Sequence, residues 1–324
     1  MKKQILVILS MLSLLGLAAS AQQNVTIKPG DDVNAIIASV VDPGSTITFE
    51  AGYYLVTRNE DGDPTDFIRM PEETTIRGAG SGLDPSTATI IDCGYTYDSA
   101  FKIDDGVYGV TVENITAMRT YDSVIEIDAG AFENTFNNVW CLHSGEASVE
   151  INAEAEFNFC VFAYPKGDNI SADDSALGYF TNCDIALSQG DIIETDGSAE
   201  IILRNCIVFA ALGGNDVQQD AGFIGAFASV GWDVTPGTDP IFGGLDVAGG
   251  ALIDITSIAA DPMYVKAPGM GFKASEMDIH LQEGSPALTA GSTSFDDNDN
   301  PTGDPTFAGS QGPAPVNVSS WSLY

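Results

Sequence analysis

Few side chains in this 324-residue chain could move a proton or neutralise an anion, because 12 Lys and Arg and two His stand against 46 Asp and Glu. Taking a proton from the carbon beside a carboxyl requires a base and a group that neutralises that carboxyl. Lys102, Arg119, His143, Lys166 and Arg204 are the candidates. Arg119 follows Asn114 by five residues and His143 follows Asn138 by five, which predicts neighbours on one surface. A surface turn carrying one Arg and one His is the competing reading.

Two sets of oxygen donors could hold a hard cation. Glu126 and Glu150 lie 24 residues apart in matching phrases. Stacked one strand apart (~4.8 Å), they repel unless one is protonated or a calcium ion sits between them. A solvated face with Lys102 pairing Glu126 is the alternative. A glycosidase pair is disfavoured, because side chains of one ladder point the same way instead of flanking a bond. Asp296, Asn298 and Asn300 alternate as at the start of a calcium loop, although Pro301 stands where Gly is usual and no Glu stands at the twelfth position. Asn59-Glu60-Asp61-Gly62-Asp63, with Asp66, is a weaker case of the same kind. Calcium is thus an optional ligand, and no cofactor is required.

The elements that must position these groups are written as a repeat. Phe101-Lys102-Ile103-Asp104 returns as Ile125-Glu126-Ile127-Asp128, Val149-Glu150-Ile151-Asn152, Ile170-Ser171-Ala172-Asp173 and Ile193-Glu194-Thr195-Asp196, with steps of 24, 24, 21 and 23 residues. Each phrase has the period-two pattern of a short strand entering a turn. A second phrase keeps pace: Glu113-Asn114-Ile115, Asn137-Asn138-Val139, Asn158-Phe159-Cys160, Asn182-Cys183-Asp184 and Asn205-Cys206-Ile207. Two strands per repeat are expected. The unit is too short to alternate strand with helix, which takes roughly 30 residues. Coils of strands alone, each burying its apolar face on the next, make an all-β, single-chain right-handed parallel β-helix of ~21–24 residues per coil. The second residue of each opening phrase then forms one outward stripe: Arg69, Lys102, Glu126, Glu150, Ser171 and Glu194. Arg69, Lys102, Glu126, Glu150 and Glu194 are its candidate substrate-binding residues.

Asp31-Asp32 before Val33, Ile36, Ile37, Val40 and Val41 predicts a short amphipathic capping helix within residues 30–45. Regular coils are expected over 46–210. The steady spacing then stops, and 211–260 reads as an irregular Gly-rich insertion containing Phe223, Phe227, Trp232 and Phe242. Residues 261–324 read as a final coil and C-terminal cap, so that 22–324 forms one β-helix domain.

Residues 1–21 have the form of a secretory signal: Lys2 and Lys3, an apolar run from Ile5 to Leu17, and Ala19-Ser20-Ala21. The run is short for a membrane span, so export without membrane insertion is expected, to the extracellular space, cell surface or periplasm. The formal charge of −34, two units more negative without Lys2 and Lys3, disfavours nucleic acid. Cys160, Cys183 and Cys206, spaced 23 apart, predict a buried ladder of reduced thiols, because stacked strands sit farther apart than a disulfide's Cβ separation of about 3.8 Å.

The helix followed by Asp42-Pro43-Gly44-Ser45-Thr46-Ile47-Thr48-Phe49-Glu50-Ala51-Gly52-Tyr53-Tyr54 is similar to the opening of secreted right-handed parallel β-helix proteins of the pectate-lyase-like superfamily. Asp261-Pro262-Met263-Tyr264, His280 to Leu288 and Ala290-Gly291 resemble the closing segment of bacterial surface β-helix proteins, although that segment's arginine-containing turn is replaced by Asp299-Asn300-Pro301-Thr302. The superfamily's catalytic phrases are missing: the Arg-rich phrase of pectate lyases, the paired Asp and Gly-His-Gly phrases of polygalacturonases, and the Gln-Asp phrases of pectinesterases. The resemblance therefore implies a fold and an exposed face able to carry a substrate groove, without naming a reaction. The leading expectation is an exported acidic β-helix protein that presents a repetitive surface to extracellular or envelope polysaccharide without catalysis. A calcium-assisted polysaccharide lyase acting on an acidic glycan is the alternative, with Lys102, Arg119 and His143 as its catalytic candidates. A structural spacer or adhesin is the third.

Overall fold

The computed structural model describes residues 22–40, 42–56, 65–209, 217–219, 223–232, 247–248, 252–255, 257–266, 277–296 and 301–311. The signal-like residues 1–21, the Asn59–Asp63 stretch, and Asn298 and Asn300 lie outside them.

The chain winds as a parallel β-solenoid of about eight turns with almost no helix. Its first sheet is built from the opening phrases, in register from Ile68–Arg69 through Phe101–Ile103, Ile125–Ile127, Val149–Ile151, Ile170–Ala172, Ile193–Thr195 and Val217–Gln219 to Val247–Ala248. Inward residues form two continuous columns. One is Phe101, Ile125, Val149, Ile170 and Ile193; the other is Ile103, Ile127, Ile151, Ala172 and Thr195, every member fully buried.

Each of these coils crosses three faces, the second of the two expected strands being bent at a corner or divided there; the part before the corner makes the second sheet and the part after it the third. Thr111–Met118 and Asn134–Leu142 run through a corner, and the next coils split there into Glu154–Asn158 and Val161–Ala163, Leu177–Thr181 and Asp184–Ala186, then Glu200–Arg204 and Ile207–Phe209. The Asn residues of the second phrase sit at that corner with left-handed backbone: Asn114 (φ 58°), Asn138 (φ 54°), Asn182 (φ 53°) and Asn205 (φ 55°), with Phe159 (φ 56°) in the coil between. Asn accepts this conformation at lower cost than other residues with a Cβ. Its side chain also bonds along the column, Asn138 Nδ2 donating to Asn114 Oδ1 at 2.9 Å.

Inside the solenoid like stacks on like. Phe157 lies between Phe136 and Phe180 at centroid distances of 4.9 and 4.6 Å, while Phe162 meets Phe157 and Phe180 edge-on. Cys160, Cys183 and Cys206 follow the corner in successive coils. All five cysteines are buried and unbridged. The three thiols each donate to the carbonyl of a Phe in the preceding coil, those of Phe136, Phe157 and Phe180.

The helix forms over Val33–Ile37, with Asp32 Oδ1 accepting from the Ala35 amide at 3.1 Å. A strand that the sequence did not announce, Asn24–Ile27, precedes it and pairs in parallel with Thr46–Phe49.

Two segments depart from expectation. The register continues past residue 211: Val217–Gln219, Phe223–Phe227, Val230–Trp232, Val247–Ala248, Leu252–Ile255 and Ile258–Ala259 extend all three sheets. Gly225 and Gly231 replace the Ile202 and Val208 of the coil before, which erases the apolar pattern. Nor do the described residues from Asp261 onward add a coil to the parallel sheets. Tyr264–Lys266 pairs antiparallel with Asp278–Leu281, Gly291–Ser292 pairs antiparallel with Pro305–Thr306, and Pro286–Leu288 makes a 3₁₀ turn. This strap lies along the outer face of the third sheet, where Tyr264, Met277, Ile279, Leu281, Ala287 and Ala308 join Leu142, Val161, Tyr164, Leu187, Ile207 and Phe209 in a second apolar cluster. Among the described residues no helix is long and apolar enough to cross a membrane.

Candidate functional site

The outward stripe of the first sheet forms as one ladder, Arg69 beside Lys102, then Glu126, Glu150, Ser171 and Glu194. Acidic turns flank it: Asp98, Asp122, Glu146 and Asp168 before the strands, and Asp104, Asp128, Asn152, Asp173 and Asp196 after them. A shallow groove of about 640 Å³ runs along the second set, lined by Asp105, Asp128, Asn152, Asp173, Asp174 and Asp196. Burial raises the pKa of Glu126, and burial together with the charge of Glu126 raises that of Glu150.

Lys102 is not the exposed cation that the stripe suggested. It is 7% exposed, bonds the Glu126 carboxylate, and reaches Asp128 Oδ1 at 2.5 Å. Burial would lower its pKa, but the hydrogen bonds and charges of Asp128 and Glu126 outweigh this and raise it. An ammonium so held does not serve as a base at neutral pH. It supplies positive charge beside Glu126, as the reading that pairs these two residues expects. Among the described residues no group of three or more His, Cys, Asp or Glu is arranged to hold a metal ion. Arg69 remains on the surface, pairing with Asp66 and Asp104 at 3.0 Å each.

Arg119 and His143, by contrast, are brought together. The third-sheet register makes Met118, Leu142, Ala163 and Ala186 equivalent, so Arg119, His143, Tyr164 and Leu187 follow them as one column. All four have left-handed backbone, with φ of 57°, 56°, 63° and 51°. Arg119 grips the buried carboxylate of Asp92, Nε lying 2.7 Å from Oδ1 while Nη2 holds Oδ2. The same Nη2 lies 3.3 Å from the Tyr53 hydroxyl, which itself bonds Asp92. His143 stacks on Tyr164 with ring centroids 5.1 Å apart and planes 12° apart. Burial, then the charge of Arg119, pushes its pKa below the usual imidazole value, so at neutral pH it is uncharged.

Tyrosines complete this surface. Tyr53, Tyr95 and Tyr121 are 47%, 39% and 57% exposed, and the Lys166 ammonium sits 4.8 Å from the Tyr95 ring centroid. The Tyr95 amide donates to the Arg119 carbonyl and the Tyr121 amide to the Tyr97 carbonyl, so the turns carrying these rings are stacked. Open phenol rings offer apolar faces for the C–H sides of sugar rings and hydroxyls for their edges, while Lys166 and Arg119 offer donors to hydroxyl or carboxylate oxygens. Sequence reasoning found Arg119 and His143 but missed Asp92 and the tyrosines. A signal existed for Tyr121 alone, since Tyr97-Asp98 returns as Tyr121-Asp122 after 24 residues, although Tyr97 itself is buried. Lys102 lies in the first sheet, apart from the pair with which it was grouped as a catalytic candidate. Arg204 stands farther along the solenoid, with its guanidinium 5.1 Å from the Tyr179 centroid.

No protein-family model matches the chain, and no curated protein matches it. Among solved structures, the crystal structure of pectate lyase Pel9A is similar over 91% of this chain and 97% of its own, with a TM-score of 0.54 and 13% identity. Geobacillus virus E2 ORF18 is similar over 70% of this chain and 57% of its own, with a TM-score of 0.38 and 13% identity. The first likeness sets the fold class: the chain has a parallel β-helix fold like that of a pectate lyase.

Proposed function

We propose that this protein is exported and binds an extracellular or envelope polysaccharide without cleaving it, along the strip formed by Tyr53, Tyr95, Tyr121, Arg119, His143 and Lys166. The observation that carries this reading is three exposed tyrosine rings gathered with Arg119 and Lys166 on one edge of a chain whose formal charge is −34. Exposed aromatic rings beside a few fixed polar groups suit sugar rings, which present alternating apolar and hydroxylated sides. The signal-like residues 1–21 support export. The acidic first-sheet face keeps the particle soluble and repels polyanions, which leaves the tyrosine edge as the approach for a chain carrying carboxylates.

Catalysis is disfavoured by the commitment of Arg119. Its guanidinium already neutralises Asp92, so it is poorly placed to neutralise a second carboxylate. One observation favours the lyase alternative: a neutral His143 beside Arg119 is able to accept a proton.

Binding of the mature chain to a panel of acidic and neutral polysaccharides, with and without calcium, tests both. At least one polysaccharide is expected to bind, and Tyr95→Ala or Tyr121→Ala is expected to weaken that binding about tenfold, a loss of ~1.4 kcal/mol. Binding to none of the panel would sink the proposal. Release of unsaturated sugar ends by the wild type, abolished in His143→Ala, would replace it with the lyase reading.

A further inference from the structure

The third sheet carries a buried ionisable group on its outer face, where a solenoid normally meets water. Asp184 is 1% exposed because the C-terminal strap covers it. Tyr264 donates its hydroxyl hydrogen to Oδ1, while the Ser310 amide (2.5 Å) and hydroxyl (2.6 Å) donate to Oδ2. Both ends of the strap therefore converge on one carboxyl of the solenoid. A second, uncharged anchor stands one coil away: Asn205 accepts from the Ser292 amide at 2.7 Å and donates to the Ser292 carbonyl at 2.8 Å, and its own carbonyl accepts from the Gly309 amide. Gly309, at φ +93°, lets the backbone come this close, since a Cβ there would lie 2.7 Å from Ile207 Cδ1 and 3.1 Å from Asp184 Oδ1.

We propose that the strap, in its described segments 261–266, 277–296 and 301–311, is an acid-tightened clasp latched on Asp184, loosening as the medium turns from acidic to neutral. Burial penalises the Asp184 carboxylate more than its three donors favour it, which raises its pKa from 3.8 to about 6. Once the strap lifts, water reaches the carboxyl and the ordinary value returns. Docking therefore takes up a proton between these two values, is strongest below the lower, and weakens as pH rises through the upper. The other groups facing the latch are few. His280, on the strap, favours the carboxylate when charged but is itself paired with Asp278 at 2.7 Å. Asp261 acts on Tyr264, whose own pKa is held far above the usual phenol value by burial and by Asp184.

The clasp also touches the tyrosine strip. Tyr164, on which His143 stacks, belongs to the apolar cluster that the strap completes. Loosening the strap frees Tyr164 and with it the His143 ring, a coupling that rests on the reading of that strip as the binding surface, whereas the latch itself does not.

Hydrogen exchange resolved by segment, corrected for intrinsic rates, tests the latch with no glycan present. In the wild type, protection of residues 277–282 is expected to fall roughly twenty- to thirtyfold between about pH 4.5 and about pH 7.5, following the two pKa values. Protection of the first-sheet strands at 125–127 and 149–151 serves as the reference for the intact solenoid. Asp184→Asn keeps an acceptor but cannot titrate, so its strap protection should be level across this range. Tyr264→Phe, which spares the carboxyl, should lower strap protection at every pH. A wild-type strap whose protection does not change with pH overturns the proposal, and so does an Asp184→Asn protein that keeps the wild-type pH response.

Discussion

Arg119 and Asp92 face each other from neighbouring coils, joined by two nitrogen–oxygen contacts, and the Asp92 side chain is 1% exposed while that of Arg119 is 40% exposed. The pair thus has one dry end and one wet end. The fork of the guanidinium fits the carboxylate, and its far side remains available to the surface.

Removing one partner leaves a buried charge alone. Arg119→Met is expected to destabilise the fold by about 3–5 kcal/mol, with the Asp92→Asn, Arg119→Met double variant regaining much of that loss. Denaturant melts of the three proteins decide it, and a single variant as stable as the wild type would show that water reaches Asp92.

Lys102 carries a similar burden in the first sheet, where it neutralises Glu126 and Asp128 and borders Glu150 by way of Glu126. Lys102→Gln should lower the melting temperature at neutral pH. Because the variant leaves adjacent carboxylates without a cation, millimolar calcium is expected to recover part of its loss and to leave the wild type nearly unchanged. Calcium stabilising both proteins equally would place the effect elsewhere.

Acid should stabilise this protein over a range where many others lose stability. Burial raises the pKa of Asp122, Glu126, Glu150, Asp168 and Asp184, so each binds its proton more readily in the folded chain than in the unfolded one. Such a group contributes fully below its unfolded pKa, and its contribution is lost as pH rises through the folded value. The melting temperature should therefore rise as pH falls from about 7 to about 5. A melting temperature that falls over that interval contradicts the burial of this acidic face.

Phe157 supports its neighbours from both sides, so Phe157→Ala is expected to cost about 3–5 kcal/mol. Measured by chemical denaturation, a loss below ~1 kcal/mol would mean that the stack closes over the gap.

Thiol titration of the denatured, unreduced protein should find all five cysteines reactive, and the native protein should show none, because every one is buried. A mass consistent with any internal bridge would contradict the thiol ladder.

What the sequence disclosed follows from how each face is solvated. The first sheet has water outside and core inside, so Lys102, Glu126, Glu150 and Glu194 alternate with buried residues and the strands are legible as period-two phrases. In the third sheet the strap dries the outer face as well. Val161-Phe162-Ala163 and Ile207-Val208-Phe209 are buried throughout, leaving no alternation to read. Asn marked the corner because left-handed backbone favours it, yet its side of the turn could not reveal that a further strand began there. At the site, Arg119 and His143 were legible through equal offsets from Asn114 and Asn138. Asp92 was not, since it comes from the coil that follows the irregular stretch 79–88 and shares no phrase with them. The reading of Glu126 and Glu150 placed the two carboxylates correctly in one ladder, and the alternative stated beside it, Lys102 pairing Glu126, is the contact found. Only the further reach of Lys102 to Asp128 depends on side-chain direction, which spacing does not encode.

Because Ile125 stands opposite Val149 and Glu126 opposite Glu150, the chain has interchangeable cut points. Excising residues 126–149 would splice Ile125 directly to Glu150 and shorten the rod by one winding, with every later pairing preserved. Lys102 would then meet Glu150 instead of Glu126, Arg119 would adjoin Tyr164 in place of His143, and Asp184 and Asn205 would keep hold of the strap, since both lie beyond the splice. The length of this molecule is therefore a quantity that whole-winding gain or loss can adjust in steps, leaving its two ends untouched.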